Sequence, residues 1–261
     1  MKKQVSFLGH SLYYTDTGKG NAVMLVHGFG ETGDAWKHQV DYLKNKYRLL
    51  VPDLPGSGKS PFIHNSDPSI DFYASALLQI QDEEEIEKLC IIGHSMGGYI
   101  SLAFAEKFPL RINALGLFHS SSFADEEEKV NSRKKGITFI KKHGAKQFLE
   151  STIPNLFANP ENPLKEMLIK EANHFTDEAL INYYEAMISR PDRSRIIVAL
   201  AVPFLMIIGE KDKAVPFETS LKQSGLAKLS FINILRNSGH MGMWEETEKT
   251  NQILAKFLEQ I

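Results

Sequence analysis

The sequence of 261 residues has little cysteine, little net charge and no long apolar run. Its one cysteine, Cys90, allows neither an intrachain disulfide nor a thiolate zinc site, which favours a reducing compartment. Thirty basic residues against 32 acidic ones give a formal charge of −2, too small to attract a polyanion. The longest apolar run, residues 196–209, contains Pro203 and is too short to span a bilayer. We therefore expect a cytoplasmic protein that binds neither nucleic acid nor membranes.

Short apolar runs alternate with segments of helical period, a pattern typical of a parallel sheet covered by helices. An N-terminal hairpin is predicted around the pair Gly9-His10. The predicted buried strands are Ala22–His27, Tyr47–Pro52, Leu89–Gly93, Ala114–His119, Phe204–Gly209 and Phe231–Leu235. The predicted helices are Trp36–Lys44, Ser69–Ile86, Tyr99–Lys107 and a C-terminal helix near Glu246–Glu259.

One long stretch, residues 123–195, interrupts this alternation because it contains helical segments and prolines but no convincing strand. We interpret it as a helical cap inserted into an α/β core whose two parts are residues 1–122 and 196–261. The insertion holds 12 acidic and 12 basic residues, so its overall charge gives no evidence of a strongly charged substrate.

The strongest motif is Gly93-His94-Ser95-Met96-Gly97, which follows a predicted strand and precedes a predicted helix. In that context G-x-S-x-G is typical of a nucleophile elbow, in which a tight turn exposes a strained serine. The helix N-terminus behind such a serine favours developing negative charge. A glycine-rich turn with an incidental serine is the alternative for the pentapeptide alone.

A nucleophilic serine needs a base, and the base needs an acid that orients it. Asp212 lies in a polar turn after the strand 204–209, and His240 lies in a loop after the strand 231–235. Each alone reads as an ordinary surface residue. Together with Ser95 they occupy successive strand ends in the chain order Ser, Asp, His that this kind of fold requires. The order therefore predicts a catalytic triad.

Acyl transfer also needs N–H donors for the oxyanion of the tetrahedral intermediate. Met96 follows the nucleophile and supplies one backbone N–H. Phe29, in the glycine-flanked loop after the first buried strand, is predicted to supply the second.

These motifs resemble those of the α/β-hydrolase superfamily, in particular its small capped carboxylesterase-like branch. The resemblance implies Ser95 as nucleophile, His240 as base, Asp212 as orienting acid, Phe29 and Met96 as oxyanion-hole residues and a cap over the site. We also expect a substrate contact from each of five residues: His27, Gly28, Phe29, Met96 and Met241. The matching segments run through nearly the whole chain outside the insertion and are 25–30, 52–60, 93–98, 209–212 and 238–240.

The resemblance also excludes some of the reactions that members of the superfamily catalyse. Haloalkane dehalogenases and epoxide hydrolases of this superfamily have aspartate where this chain has Ser95. Carbon–carbon bond hydrolases usually have a Gly-Pro-Gly type of oxyanion loop, whereas Phe29-Gly30-Glu31 stands here. We therefore predict a serine hydrolase that cleaves a small carboxylic ester or related acyl compound through an acyl-enzyme. A ligand-sensing protein on the same fold and a cofactor-free haloperoxidase stay open as alternatives.

Other motifs give no evidence of a cofactor or metal. Gly58-Lys59-Ser60 resembles the end of a phosphate-binding P-loop, but Asp53 occupies the position where that motif needs glycine. No histidine pair has metalloprotease spacing, so we expect neither metal nor cofactor. Seven basic residues lie between Lys129 and Lys146, and we interpret them as a solvated helix face. An acidic carrier protein that docks on them stays open as a partner.

Overall fold

Eight strands form one sheet in the computed structural model, which describes all 261 residues. The strands are β1 (Lys2–Phe7), β2 (His10–Asp16), β3 (Ala22–Val26), β4 (Arg48–Pro52), β5 (Leu89–His94), β6 (Ile112–Phe118), β7 (Phe204–Gly209) and β8 (Ser230–Leu235). Their order across the sheet is β1-β2-β4-β3-β5-β6-β7-β8. Strand β2 pairs antiparallel with both β1 and β4, and all other pairs are parallel. This is the mostly parallel sheet that the alternation of apolar runs predicted.

Eleven α-helices flank and extend this sheet. They are α1 (Lys37–Leu43), α2 (Ile70–Glu83), α3 (Met96–Lys107), α4 (Glu127–His143), α5 (Ala145–Thr152), α6 (Lys165–Glu171), α7 (Asp177–Ser189), α8 (Ser194–Ala199), α9 (Phe217–Ser224), α10 (Gly242–Glu245) and α11 (Thr247–Leu258). Helices α2 and α3 pack against each other, and α1 packs against α11. No helix has both the length and the apolar character needed to cross a membrane.

The central strands are apolar because both of their faces are covered. Every residue of β5 and of β7 is buried, which explains why each reads in the sequence as a continuous apolar run rather than an alternating one. The edge strand β8 is only half-buried along most of its length. Because parallel strands end at the same edge of a sheet, the loops after β3, β5, β7 and β8 meet there.

The segment between β6 and β7 contains the five helices α4 to α8 and no strand. Two buried hydrogen bonds join it to the core through α7. Tyr183 Oη donates to the carbonyl of Pro55 at 2.8 Å, and Tyr73 Oη donates to Asn182 Oδ1 at 2.7 Å. Helix α8 extends to Ala199, beyond the predicted end of the insertion at residue 195.

Element boundaries differ from the predictions by a few residues. Helix α3 begins at Met96 rather than Tyr99, because the apolar periodicity starts only after Gly97-Gly98 and glycine is a poor helix former. Helix α9 was not predicted at all. It is short and mostly polar, with Ser220 and Gln223 as its buried residues, so it has no apolar stripe to reveal it.

Candidate active site

Ser95 lies between β5 and α3 in a strained backbone conformation, with φ 51° and ψ −117°. The end of β6 and the loop after it hold this turn. Ser95 N donates to the carbonyl of Phe118 at 3.0 Å, and Ser120 Oγ donates to the carbonyl of Ser95 at 2.7 Å. A Cβ at Gly97 would lie 2.6 Å from the carbonyl oxygen of His27, so the approach of α3 to β3 requires glycine there. This is the geometry expected of a nucleophile elbow.

Asp212 and His240 meet as the chain order predicted. His240 Nδ1 lies 2.7 Å from Asp212 Oδ2, and the other carboxylate oxygen accepts from the N–H groups of Ala214 and Val215 at 2.8 and 2.9 Å. Burial alone would raise the pKa of Asp212, but the neighbouring imidazoles hold it well below its usual value. Asp212 is therefore an ionised acceptor. It fixes the proton of His240 on Nδ1 and leaves the lone pair on Nε2.

A second imidazole, that of His119, contacts the same carboxylate. Its Nδ1 lies 3.2 Å from Asp212 Oδ2 without meeting hydrogen-bond geometry. Burial lowers the pKa of His119 to about 4, although Asp212 opposes that shift. His119 is therefore neutral near pH 7. It places a polar ring beside Asp212 but does not form an ion pair with it.

Phe29 and Met96, the two predicted oxyanion-hole residues, both lie close to Ser95. Met96 is the first residue of α3, so its N–H has no acceptor within the helix. The loop of Phe29 approaches the nucleophile closely, since a Cβ at Gly28 would lie 3.1 Å from Ser95 Cβ. The ring of Phe29 stacks on that of Tyr184 from α7 with centroids 4.4 Å apart, which fixes the loop against the insertion.

A buried ion pair beneath this loop is not evident from the sequence. Glu31 Oε2 lies 3.0 Å from His94 Nδ1 and accepts from Gly28 N at 2.8 Å, while His94 Nε2 lies 2.8 Å from the carbonyl oxygen of His240. Both ring nitrogens of His94 thus face acceptors, so both must carry protons and the ring is an imidazolium. Burial opposes that charge, but Glu31 raises the pKa of His94 above its ordinary value.

This pair connects three parts of the site. Glu31 holds the loop of Phe29 through Gly28 N, His94 directly precedes Ser95, and the carbonyl that His94 binds belongs to His240. Both side chains are almost wholly buried. We interpret Glu31 and His94 as residues that position the loop of Phe29 and the segments of Ser95 and His240, and Glu31 also lines the cavity shared by Ser95 and His240.

The loop of His240 is attached to the insertion between β6 and β7. His240 N donates to the carbonyl of Leu156 at 2.7 Å. The carboxylate of Glu245 joins the same two segments, accepting from Gly239 N at 2.8 Å and from Ala158 N at 2.7 Å. The backbone of His240 is therefore supported from the insertion as well as from the core.

Ser95 and His240 line one cavity of about 140 Å³. Helices of the insertion supply most of its apolar wall, and two basic side chains complete it. The insertion contributes Lys129, Arg133, Leu149, Thr152, Ile153, Leu156, Leu168, Tyr184 and Met187. Chemically, this is a small, mostly apolar pocket that is also lined by a serine hydroxyl and an imidazole.

Of the five residues expected to contact substrate, Phe29 lines this cavity. His27 is fully buried, and its ring is held by Ser57 Oγ and the carbonyl of Gly28, both at 2.8 Å. Met96 and Met241 are also fully buried. His27, Gly28, Met96 and Met241 are not among the lining residues, so the expected substrate contacts from these four residues have no support in this geometry.

Two other sequence features can now be assigned. The turn that resembles a P-loop is closed by Asp53, whose carboxylate accepts from Gly33 N at 2.9 Å and from Lys59 N at 3.0 Å, so these donors do not face a phosphate. The side chains of His119, Asp212 and His240 bring potential metal-ligand atoms within 4.8 Å of one another. A metal there would have to displace the proton that His240 shares with Asp212, so the donor set fits a triad better than a metal site.

The chain is similar to known proteins that have the α/β-hydrolase fold. A family profile described as alpha/beta hydrolase fold matches residues 21–136. A 2-hydroxy-6-oxononadienedioate/2-hydroxy-6-oxononatrienedioate hydrolase of Paraburkholderia phymatum is 28% identical over 95% of this chain and 91% of its own length. An esterase from Thermogutta terrifontis superposes with a TM-score of 0.91 and 26% identity, covering 100% of this chain and 98% of its own. A meta-cleavage product hydrolase from Pseudomonas fluorescens shares the fold, with a TM-score of 0.83 and 22% identity over 99% and 97% of the two chains.

Proposed function

This chain is an α/β hydrolase, and from that premise we propose that it acts as a serine hydrolase on a small carboxylic ester or a related acyl compound. One observation carries the proposal. Ser95 and His240 line the same cavity while the far ring nitrogen of His240 is hydrogen-bonded to the buried carboxylate of Asp212. Nucleophile, base and orienting acid are the three parts that acyl transfer to serine requires.

The reaction begins when Ser95 Oγ attacks the ester carbonyl as His240 Nε2 takes the hydroxyl proton. Asp212 stabilises the imidazolium that forms. The N–H groups of Phe29 and Met96 stabilise the oxyanion. His240 then gives its proton to the departing alcohol, and the acyl group stays on Ser95. Water attacks the acyl-enzyme with His240 again as base, which releases the carboxylic acid and restores the serine.

We further propose that residues 123–195 act as a cap that sets the shape of the acyl pocket. The apolar wall from α5, α6 and α7 supports this role. A cavity of about 140 Å³ is smaller than the roughly 300–1,000 Å³ typical of pockets for drug-sized ligands, so we expect a short acyl group.

Ser95→Ala tests the proposal. It should reduce hydrolysis of short p-nitrophenyl esters roughly 10³-fold or more and abolish labelling by a fluorophosphonate probe. The matched control is Ser6→Ala at an exposed serine of β1, which should hydrolyse and label like the wild type. Circular dichroism and thermal melting check that both variants fold. Undiminished turnover in folded Ser95→Ala would overturn the assignment.

A second candidate is hydrolysis of a carbon–carbon bond, favoured by the named activity of the Paraburkholderia phymatum relative. The loop Phe29-Gly30-Glu31 argues against it, because such hydrolases usually have a Gly-Pro-Gly type of loop. The two reactions separate experimentally. Loss of the absorbance of a 2-hydroxy-6-oxodienoate on mixing with enzyme, faster than hydrolysis of any p-nitrophenyl ester, would select the carbon–carbon reaction.

A further inference from the structure

The catalytic cavity borders a second cavity of about 610 Å³, and the two share a wall. The shared wall is formed by Tyr99, Lys129, Ala214 and Val215. Lys129 belongs to α4, and Ala214 follows the triad aspartate by two residues. A ligand whose acyl group fills the small catalytic cavity would therefore pass Lys129 where it continues into the larger one.

Lys129 is incompletely partnered at this position. Its Nζ donates to the carbonyl oxygen of Ala214 at 3.0 Å, and it forms no ion pair within 4.0 Å. An ammonium group has three N–H donors, so one carbonyl leaves two of them for another acceptor. The side chain is half-buried, which makes an unmatched positive charge costly.

One carboxylate that acts on Lys129, that of Asp125, is already engaged. Asp125 pairs with Arg133 at 2.6 Å and with Arg190 at 2.8 Å, so two guanidinium groups share one carboxylate. Lys129 and Arg133 are four residues apart on α4 and both line the catalytic cavity. Like charges at this spacing destabilise a helix, and Asp125 offsets the charge of Arg133 without forming an ion pair with Lys129.

The remaining charged groups near Lys129 do not neutralise it. Asp212 is held by His240, and Glu126 and Glu128 line the larger cavity as exposed side chains. Burial and the charge of Arg133 lower the pKa of Lys129. A carboxylate bound beside the ammonium would reverse that shift, because an opposite charge favours the charged form.

We propose that Lys129 binds a carboxylate group of the substrate, so that the preferred substrates are short esters that also carry a free carboxylate. This inference rests on the proposed function, since the ester is placed by Ser95. It also differs from the expectation drawn from composition: the insertion is neutral overall, but its charges are unevenly distributed, with an unmatched cation at the entrance to the acyl pocket.

The test compares two esters with the same six-carbon acyl chain, mono-p-nitrophenyl adipate and p-nitrophenyl hexanoate. The wild type should favour the adipate in kcat/KM by about tenfold to hundredfold, the range of one charge-assisted hydrogen bond. Lys129→Met should reduce this ratio to near one. The matched control is Lys134→Met, at an exposed lysine on the same helix that lines neither cavity, and it should keep the wild-type ratio.

A binding measurement separates failure of this inference from failure of the proposed function. Calorimetry on Ser95→Ala should detect tighter binding of monomethyl adipate than of methyl hexanoate, and adding Lys129→Met should remove the difference. Equal hydrolysis of both p-nitrophenyl esters, with a ratio that Lys129→Met does not change, refutes the carboxylate site and leaves the ester hydrolase standing. Absent hydrolysis with Lys129-dependent adipate binding refutes the ester hydrolase and keeps the site. Equal binding of the two methyl esters refutes the site whatever the turnover.

Discussion

Replacing Glu31 with glutamine should cost about 3–5 kcal/mol of unfolding free energy, because it removes the counterion of a buried imidazolium. The structure supports a value in this range. Glu31 Oε2 serves two buried donors, His94 Nδ1 and Gly28 N, and glutamine keeps an oxygen acceptor for them but not the negative charge that balances the imidazolium. For a chain of this size a loss of 3–5 kcal/mol corresponds to a melting temperature lower by roughly 6–20 °C.

The matched control is Glu150→Gln, which removes an exposed carboxylate lying 3.8 Å from Lys146. It should cost roughly 1 kcal/mol or less, because exposed ion pairs contribute little. A double-mutant cycle then tests the pairing. His94→Gln alone should also be costly, but combining it with Glu31→Gln should cost less than the sum of the two by about 1–3 kcal/mol, since the second change removes a charge that the first left unpaired.

The pH dependence gives an independent check. The folded-state pKa of His94 is raised, so its stabilising contribution is complete below about pH 6.5 and is lost as pH rises through the raised value. The difference in unfolding free energy between wild type and His94→Gln should therefore be largest below pH 6.5 and shrink above it. Urea unfolding at several pH values measures this. A pH-independent difference, or a double variant whose cost equals the sum of the single ones, would refute the imidazolium assignment.

Two further predictions concern the nucleophile turn and the acid. Gly97→Ala should destabilise the protein by about 1–3 kcal/mol in thermal unfolding, because the new methyl group meets the backbone of β3. The control is Gly225→Ala, where a Cβ has open space, and it should be nearly neutral. Equal melting temperatures of the two variants would contradict the close approach of α3 to β3. The folded-state pKa of His119, about 4, lies below its ordinary value. The contribution of this residue to the free energy of unfolding is therefore complete above about pH 6.5 and is lost as pH falls toward 4. The total loss should be about 3 kcal/mol. His119→Gln should flatten that dependence in urea unfolding, and an unchanged slope would show that other groups cause it.

Much of the fold could be predicted because burial on both faces leaves a plain record in the sequence. Strands β5 and β7 are apolar at nearly every position, so an apolar run bounded by turn residues was sufficient to find them. The hydrogen-bonded contact of Asp212 with His240 was predictable for a related reason. Loops after parallel strands meet at one edge of the sheet, so chain order alone indicated which polar residues come together.

What could not be predicted depends on contacts between distant segments. Glu31 and His94 are 63 positions apart, and neither has a local pattern that indicates a partner. The residues of the insertion that line the cavity of Ser95 and His240 were not predicted, for a different reason. Phe139 and Met167 are apolar residues of the same insertion but are 36% and 42% exposed, whereas Leu149 and Ile153 line the cavity. Helical periodicity reveals an apolar face without revealing whether that face meets a cavity, another helix or solvent.

The hydrogen bond from His240 N to the carbonyl of Leu156 has a consequence for protein engineering. The insertion would normally be treated as an exchangeable module that alters specificity and leaves the chemistry to the core. In this protein His240, the proposed base, depends on that module for part of its backbone support. A chimera that exchanges residues 123–195 for those of a relative must therefore supply an equivalent carbonyl at the position of Leu156, or it will inherit a new pocket together with a displaced His240.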